Sequence, residues 1–389
     1  MGEQEYKATS MLRIVAGQFL EHRFAVIGLG IILIFALLAI FAPMISNLLG
    51  VNPSDQNIFN RYKPIMTRIE KSLGQREEVV ERFISDHREQ AQTLITATRE
   101  AGLIDAKVSD ADALFEIMEQ VGEDPATISK LSALNIPEAN AFIKVLKSFT
   151  TVHYLGTDEL GRDVLMRLIF GARVSITIGV LVACISAMIG LIIGSLAGYY
   201  GGFLDSALMR VTDSLLALPL IPVLILFAAA DIKQIPVLGW FIRGDNESIA
   251  KMIVVLCIFS WMTAARLVRA SILSVKEKEF VFAAKTLGAS DFRIIALHIT
   301  PNILAPLLVA VTLGVGSSII FEAALSFLGL GVQPPTPTWG NMLYNAQEMI
   351  YEAPLLAIFP GLLIFITVIC FNFVGDGLQD AIDPKAIRR

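Results

Sequence analysis

Six stretches of the chain are almost continuously apolar: 24–46, 174–200, 214–230, 250–268, 303–327 and 355–374. A hydrocarbon core of about 30 Å takes roughly 20 helical residues to cross, so each stretch is predicted as a transmembrane helix. The first apolar run is too long for a signal-peptide core, and no small-residue cleavage site follows it. It reads as a retained first span. The pattern predicts an all-α polytopic membrane protein with six transmembrane helices.

Residues 47–152 break the apolar rhythm. They hold sixteen acidic and twelve basic residues. Ile65, Ile69 and Leu73, then Val80, Phe83, Ile84, Ala91, Leu94 and Ile95, recur at helical spacing. Ser109 marks another helix start, Asp124-Pro125 reads as a cap followed by proline at the first helical position, and Pro137 sets off a last short helix. A helical domain inserted between the first two spans is expected, either as an independent bundle or as a lid on the membrane part.

A second polar stretch, 274–301, lies between the fourth and fifth spans. Ser274 is a helix-capping residue type, and Phe280, Ala283, Ala284 and Leu287 follow at spacings of three and four. Gly288 offers a stop through a left-handed conformation. Ser290 and Asp291 can start a second short helix, which Pro301 is expected to end. Six basic residues surround this helix–glycine–helix elbow: Arg266, Arg269, Lys276, Lys278, Lys285 and Arg293. Its small residues suit a docking knob. The pattern alone fits an amphipathic loop lying on a membrane equally well.

Composition agrees with the membrane reading, with 54% hydrophobic and 17% charged residues. Cys184, Cys257 and Cys370 all fall in apolar segments and form neither a disulfide framework nor a metal cluster. If the amino terminus is cytoplasmic, the segments 1–23, 201–213, 266–300 and 375–389 share its side and carry thirteen lysines and arginines, against Lys233 and Arg243 in the short outer loops. This asymmetry places both termini and the elbow inside, and the 47–152 insert outside.

No phosphate-binding P-loop and no metalloprotease or nucleophile motif is present, so no catalytic residue, metal or cofactor is expected in this chain. Gly190, Gly194 and Gly198 form a four-residue-step stripe on the second span, the spacing that lets helix backbones approach closely in lipid. Glu322 is the clear ionisable group within a span. It is either a pathway-lining carboxylate or an interfacial one. Two outer stretches look ordered. One is HYLGTDELGRDVLMRLIFGARVS at 153–175, where Gly156 and Gly161 permit turns, Thr157 and Asp163 can cap, and an interfacial helix feeds the second span. The other is FLGLGVQPPTPTWGNM at 327–342, where prolines stiffen the chain and Trp339 suits a membrane interface.

The elbow, Phe282-Ala283-Ala284, three residues, Gly288-Ala289, then Ile299-Thr300-Pro301, resembles the cytoplasmic signature of binding-protein-dependent ABC importer permeases. Phe282 stands where that signature has glutamate. RFAVIGLGIILIFALLAIFAP at 23–43, the two outer stretches and FNFVGDGLQDAIDP at 371–384 are similar to the C-type permease of dipeptide, oligopeptide and nickel importers. The insert departs from that family, whose first outer loop is usually much shorter. The resemblance implies a five-helix importer core plus one leading helix in a bacterial or archaeal cytoplasmic membrane. It implies a second, homologous permease and two ATP-binding subunits that use ATP and magnesium. An external solute-binding protein would deliver substrate, and no nucleic acid takes part. The elbow would dock the ATPases, while Gly156, Thr157, Asp158, Gly161, Arg162, Asp163, Trp339 and Gly340 would form an outer gate or binding-protein side. The competing readings are a nickel or small-solute importer of the same family, an ion-coupled transporter or channel, and a receptor sensing through the insert.

Overall fold

The computed structural model describes residues 11–70, 73–105, 108–110, 112–123, 126–147, 149–231 and 246–382. The expected loop around Lys233 and Arg243, the Asp124-Pro125 cap, and the extreme termini lie outside the described residues. The chain divides into two compact units, Pro43–Met166 and Met1–Ala42 with Arg167–Arg389.

In the membrane unit, helix α1 (Met11–Glu21) leads into α2 (Arg23–Ile40). His22 caps α2, its Nδ1 accepting the Ala25 N–H at 3.2 Å. The predicted first span ends early because Pro43 follows, and the chain restarts as α3 (Ala42–Leu49). Helix α9 (Val164–Tyr200) is one rod of 37 residues, with no break between the expected interfacial helix and the span. After it come α10 (Gly202–Leu216) and α11 (Leu220–Ala229), then α12 (Glu247–Val275), α13 (Glu279–Thr286), α14 (Asp291–Phe327), α15 (Trp339–Ala346) and α16 (Leu355–Ile382). Among the described residues, five helices are long and apolar enough to cross a membrane, and six spans result if α10 and α11 count as one bent span.

That bend is 86°, whereas the sequence pattern predicts a straight span over 214–230. Leu218 precedes Pro219, and a residue before proline avoids the helical region of backbone space. Pro219 then serves as the N-cap of α11.

The leading helix lies along the last one. A Cβ on Gly28 would stand 2.9 Å from the Cys370 carbonyl oxygen, and one on Gly377 would stand 2.3 Å from the Ala25 methyl carbon. Small residues on both helices therefore allow the approach. Away from that contact α2 exposes Ile27, Leu33 and Ile34, the apolar surface that lipid would cover.

The Pro43–Met166 unit is built mainly from α4 (Leu73–Asp86), α5 (Arg88–Glu100), α6 (Ala113–Glu123), α7 (Ala126–Ala133) and α8 (Pro137–Lys147). Their apolar faces close on a core that includes Phe83, Leu94, Leu114, Ile117, Leu131 and Phe142. The unit is not wholly helical. Thr67–Glu70 (β1) pairs antiparallel with Thr150–His153 (β2), with Thr67 opposite His153. Of Ile65 and Ile69, which sit at helical spacing in the sequence, Ile69 therefore lies in extended chain and Ile65 in the turn before it. The β-branched residues Thr67, Ile69, Thr150, Thr151 and Val152 suit the ribbon better than a helix. This ribbon is a neck: the five helices are enclosed between its two strands.

Candidate functional site

The elbow is built from α12, α13 and the start of α14. Helix α12 runs through Ser274 to Val275, so Ser274 is not a cap; Lys278 occupies the N-cap of α13. Gly288 ends α13 at φ +80°. The Ala289 N–H donates to the Ala284 carbonyl at 3.1 Å and the Gly288 N–H to the Lys285 carbonyl at 3.0 Å, the paired bonds of a Schellman turn. Pro301 does not end a helix. Residues Ile294–Ile299 form a π-helical stretch, and α14 continues through Pro301 to Phe327. The wider turn accommodates a residue that cannot donate a backbone bond.

Burial separates the elbow residues into two sets. Val281, Ala284, Ile294 and Ile299 pack with Val268 and Ile272 of α12 into one apolar cluster. Ala284 and Ile299 thus fasten the elbow to the membrane unit and present little to a partner. Phe282, Ala283, Gly288 and Pro301 are exposed, and so are Leu287 at 88% and Phe292 at 81%. Sequence reading took both Leu287 and Phe292 as parts of apolar helix faces, because helical spacing does not reveal which face is covered. Three of the six basic groups are committed within the chain. Arg269 makes a two-point pair with Asp205, at 2.5 and 2.6 Å. Arg266 lies 3.4 Å from Asp213. The Lys276 ammonium donates to the Gly198 carbonyl at 3.0 Å. Tyr199 Oη donates to Asp291 at 2.7 Å, tying the elbow to the end of α9.

Gly190, Gly194 and Gly198 face α12. Added Cβ atoms would stand 2.6 Å from the Ala264 methyl carbon, 2.5 Å from the Ala265 carbonyl oxygen and 3.0 Å from the Arg269 carbonyl oxygen. The two backbones touch along roughly two helical turns, on the same helix that enters the elbow.

Helices α9, α10, α11, α12, α14 and α16 surround a cavity of about 730 Å³. Its described lining carries no charged side chain: Ser186, Ser260, Thr263, Ser317, Ser318 and Gln379 supply the polar groups among alanines, leucines and phenylalanines. Span serines and threonines leave no periodic mark in a sequence, and the Ser260 hydroxyl simply bonds back to the Leu256 carbonyl at 2.7 Å. Glu322 is not part of this lining. Its helix turns Ser318 and Phe321 toward the cavity and Glu322 away from it. The carboxylate is fully buried, accepting hydrogen bonds from Ser326 Oγ at 2.8 Å and Ser175 Oγ at 3.2 Å. Ser175 in turn accepts the Trp339 N–H at 3.3 Å. Glu322 therefore joins α9, α14 and α15, outside the lining of this cavity.

Trp339 is also fully buried and does not meet the membrane interface expected of it. Its indole N–H donates to the Leu168 carbonyl at 3.0 Å, and its ring meets Phe35 edge-on at 6.3 Å. Gly340 is tucked under Ser326 and Ala323, where a Cβ would stand 2.6 Å from the serine Cβ. Thr338 and Asn341 form a capping box at the start of α15.

In the other unit, Gly156, Thr157, Asp158, Gly161, Arg162 and Asp163 are all buried as well. Thr157 caps no helix. Its hydroxyl donates to the Asn60 carbonyl at 2.5 Å and accepts the Lys63 N–H at 2.9 Å. Cβ atoms on Gly156 and Gly161 would collide with the Lys63 and Asn57 carbonyl oxygens at 2.3 and 1.9 Å. Asp158 pairs with Arg162 at 2.7 Å, and Glu159 also contacts that guanidinium. Asp163 accepts the Met166 N–H at 2.6 Å and lies 2.8 Å from His153 Nδ1. The side chains expected to form an outer docking face are internal fasteners, because each polar group is consumed by the loop it shapes. Among the described residues no cluster of metal-binding side chains occurs.

The profile of the family described as binding-protein-dependent transport system inner membrane component matches residues 190–388, from the glycine stripe through the elbow to α16. The chain belongs to this family. A second profile, the N-terminal transmembrane domain of oligopeptide transport permease C, matches residues 10–64 and stops three residues before the ribbon neck at Thr67. The chain is similar to the glutathione transport system permease protein GsiD of Escherichia coli O6:K15:H31 (strain 536 / UPEC) and of Shigella boydii serotype 4 (strain Sb227). Each is 45% identical over 233 residues, covering 60% of this chain and 72% of the relative. Among solved structures, the inward-facing MetNI methionine ABC transporter aligns at 19% identity with a TM-score of 0.44, over 56% of this chain and 95% of that one. The chain is thus a permease subunit of a binding-protein-dependent ABC importer, as the elbow motif implied.

Proposed function

We propose that this permease forms half of an ATP-driven import path for di- or oligopeptides, glutathione-sized peptides included, and that the elbow receives force from cytoplasmic ATPase subunits. The observation that carries this reading is the rigid knob at 287–292. Leu287 and Phe292 stand out on either side of a Schellman turn whose inner face is bolted to α12. A separate motor chain would press on the knob, and α12, held backbone to backbone against α9, would pass the displacement to the cavity. The neutral, hydroxyl-bearing cavity wall suits passage of zwitterionic peptides without a tight stop. A second permease completes the path, both termini and the elbow face the cytoplasm, and the membrane is the bacterial or archaeal inner membrane. ATP and magnesium are bound by the motor subunits.

Changing both knob residues to aspartate, Leu287→Asp with Phe292→Asp, tests the docking reading. Both side chains are exposed, so membrane insertion and yield are expected to stay at the unaltered level. Co-purification of the ATPase subunits and peptide uptake are expected to fall together. Retention of the ATPases with full uptake would refute docking at this knob.

The insert, in this reading, lies outside and assists delivery by the solute-binding protein. Its boundaries matter. A deletion of 55–148 would take away Asn57, Asn60 and Lys63, whose backbones hold Thr157 and Gly161 in place. Replacing 71–149 with a two-residue hairpin turn closes the β1–β2 ribbon and leaves those bonds intact. The shortened chain is expected to assemble with its ATPases normally while binding-protein-stimulated uptake drops. Uptake at the unshortened rate would show the insert to be dispensable for delivery.

A further inference from the structure

The 58–68 segment, Ile58-Phe-Asn-Arg-Tyr-Lys-Pro-Ile-Met-Thr-Arg68, has a composition unlike the rest of its unit. Phe59 is 94% exposed, the most exposed large apolar side chain of that unit, and Ile58, Ile65 and Met66 are exposed around it. Arg61, Lys63 and Arg68 are exposed on the same stretch, and no acidic residue occurs between Asp55 and Glu70. Surface loops of water-facing domains seldom hold four large apolar side chains outward.

The display is built rather than slack. Asn57 accepts the Phe59 N–H on its side-chain oxygen at 3.2 Å and caps the short turn Ile58–Asn60. The backbone on either side is fastened to the 154–161 loop. The Asn57 N–H donates to Leu160, Tyr62 to Asp158, and Met66 to Tyr154. Tyr62 and Met66 hold positive φ values of 53° and 62°, a conformation uncommon outside glycine. The loop that grips the segment runs directly into the span α9, since Asp163 precedes Val164. On its other side α3 leaves Met44 and Leu48 exposed just beyond the first span. Spans therefore tether the segment from both directions along the chain.

We infer that this segment is a bilayer-surface anchor: Phe59, Ile58, Ile65 and Met66 enter the interfacial zone while Arg61, Lys63 and Arg68 contact anionic phospholipid headgroups. Apolar side chains interleaved with cations are the composition that binds a negatively charged membrane face. An aqueous protein partner would recognise the charges but gives no reason for four large apolar side chains held outward between them. The inference is independent of the import reading, because it concerns only where this segment sits in the bilayer.

The test is a Phe59→Trp variant of the full-length chain, purified with its accompanying subunits into nanodiscs of phosphatidylethanolamine and phosphatidylglycerol. The difference in tryptophan emission from the unaltered protein isolates residue 59. A blue-shifted difference band, quenched by brominated lipid and shielded from aqueous iodide, is expected. Adding Arg61→Glu and Lys63→Glu, or replacing phosphatidylglycerol with phosphatidylcholine, is expected to return the band toward its water-exposed position. A band quenched by iodide and insensitive to brominated lipid would overturn the inference. So would a shift that appears only when the solute-binding protein is added, which would mark a protein interface. Lipid quenching unaffected by both charge reversal and phosphatidylcholine would overturn the headgroup recognition.

Discussion

Gly194→Val is expected to remove most of the folded permease from the membrane fraction. A Cβ at this position already stands 2.5 Å from the Ala265 carbonyl oxygen and 2.8 Å from the Val268 Cβ. The nearest obstacle is backbone, so no side-chain rotation relieves it, and α9 and α12 must separate. Overpacking a well-filled site costs about 1–3 kcal/mol and occasionally more, a large share of a typical net stability of roughly 5–15 kcal/mol. The flanking contacts at Gly190 and Gly198 would open with it, and with them the Lys276 bond to the Gly198 carbonyl. Yield of monodisperse protein after detergent extraction, together with protease resistance, measures the effect. Gly30→Ala is the control, because nothing lies within 4 Å of that position. Unchanged yield for Gly194→Val would mean that the two helices do not meet here.

Gly288→Val is expected to have a different kind of effect, with normal insertion but loss of coupling between ATP hydrolysis and uptake. Space is not the obstacle, since nothing lies within 4 Å of an added Cβ. The obstacle is the backbone angle of +80°, which costs a residue with a side chain roughly 1–2 kcal/mol. A β-branched side chain is a poor fit to that conformation. The turn would relax, breaking the paired bonds to Ala284 and Lys285 and swinging Leu287 away from Phe292. Because nothing packs against Gly288 itself, the permease would survive while its knob lost its shape. ATPase rate and peptide uptake, measured on the same reconstituted preparation, separate the two outcomes. Gly288→Asn should retain most uptake, since asparagine tolerates the left-handed region. Full uptake by the valine variant would exclude this turn as a coupling element.

The elbow shows how far pattern carries. Helical spacing with a glycine stop located the bend, and Phe280, Ala283 and Ala284 are helical positions, with Leu287 the C-cap. It did not distinguish Ala284, which turns inward, from Leu287, which stands out, because both belong to an apolar set and only the neighbour α12 selects between them. Pro301 misled for a related reason. Proline ends a helix when its bond partner cannot move, and here six π-helical residues supply the slack. Glu322 and Trp339 were noticed for their chemistry, and the structure buries both side chains. Each is enclosed by partners more than a hundred residues away, Ser175 and Leu168.

Sequence alone determined that this is a multi-span membrane permease of the importer family with a charged insert and a bent, glycine-centred elbow. Those features follow from transfer free energy per residue, from local backbone preference and from contiguous motifs, all of which are written along the chain. Only the tertiary structure decided which elbow residues face outward, that the third span folds at 86°, that the insert hangs on a two-stranded neck, and that the glycine-rich motif at 156–163 is a buried fastener. These depend on which distant surface covers each side chain, and a linear pattern carries the period of a face without naming its partner.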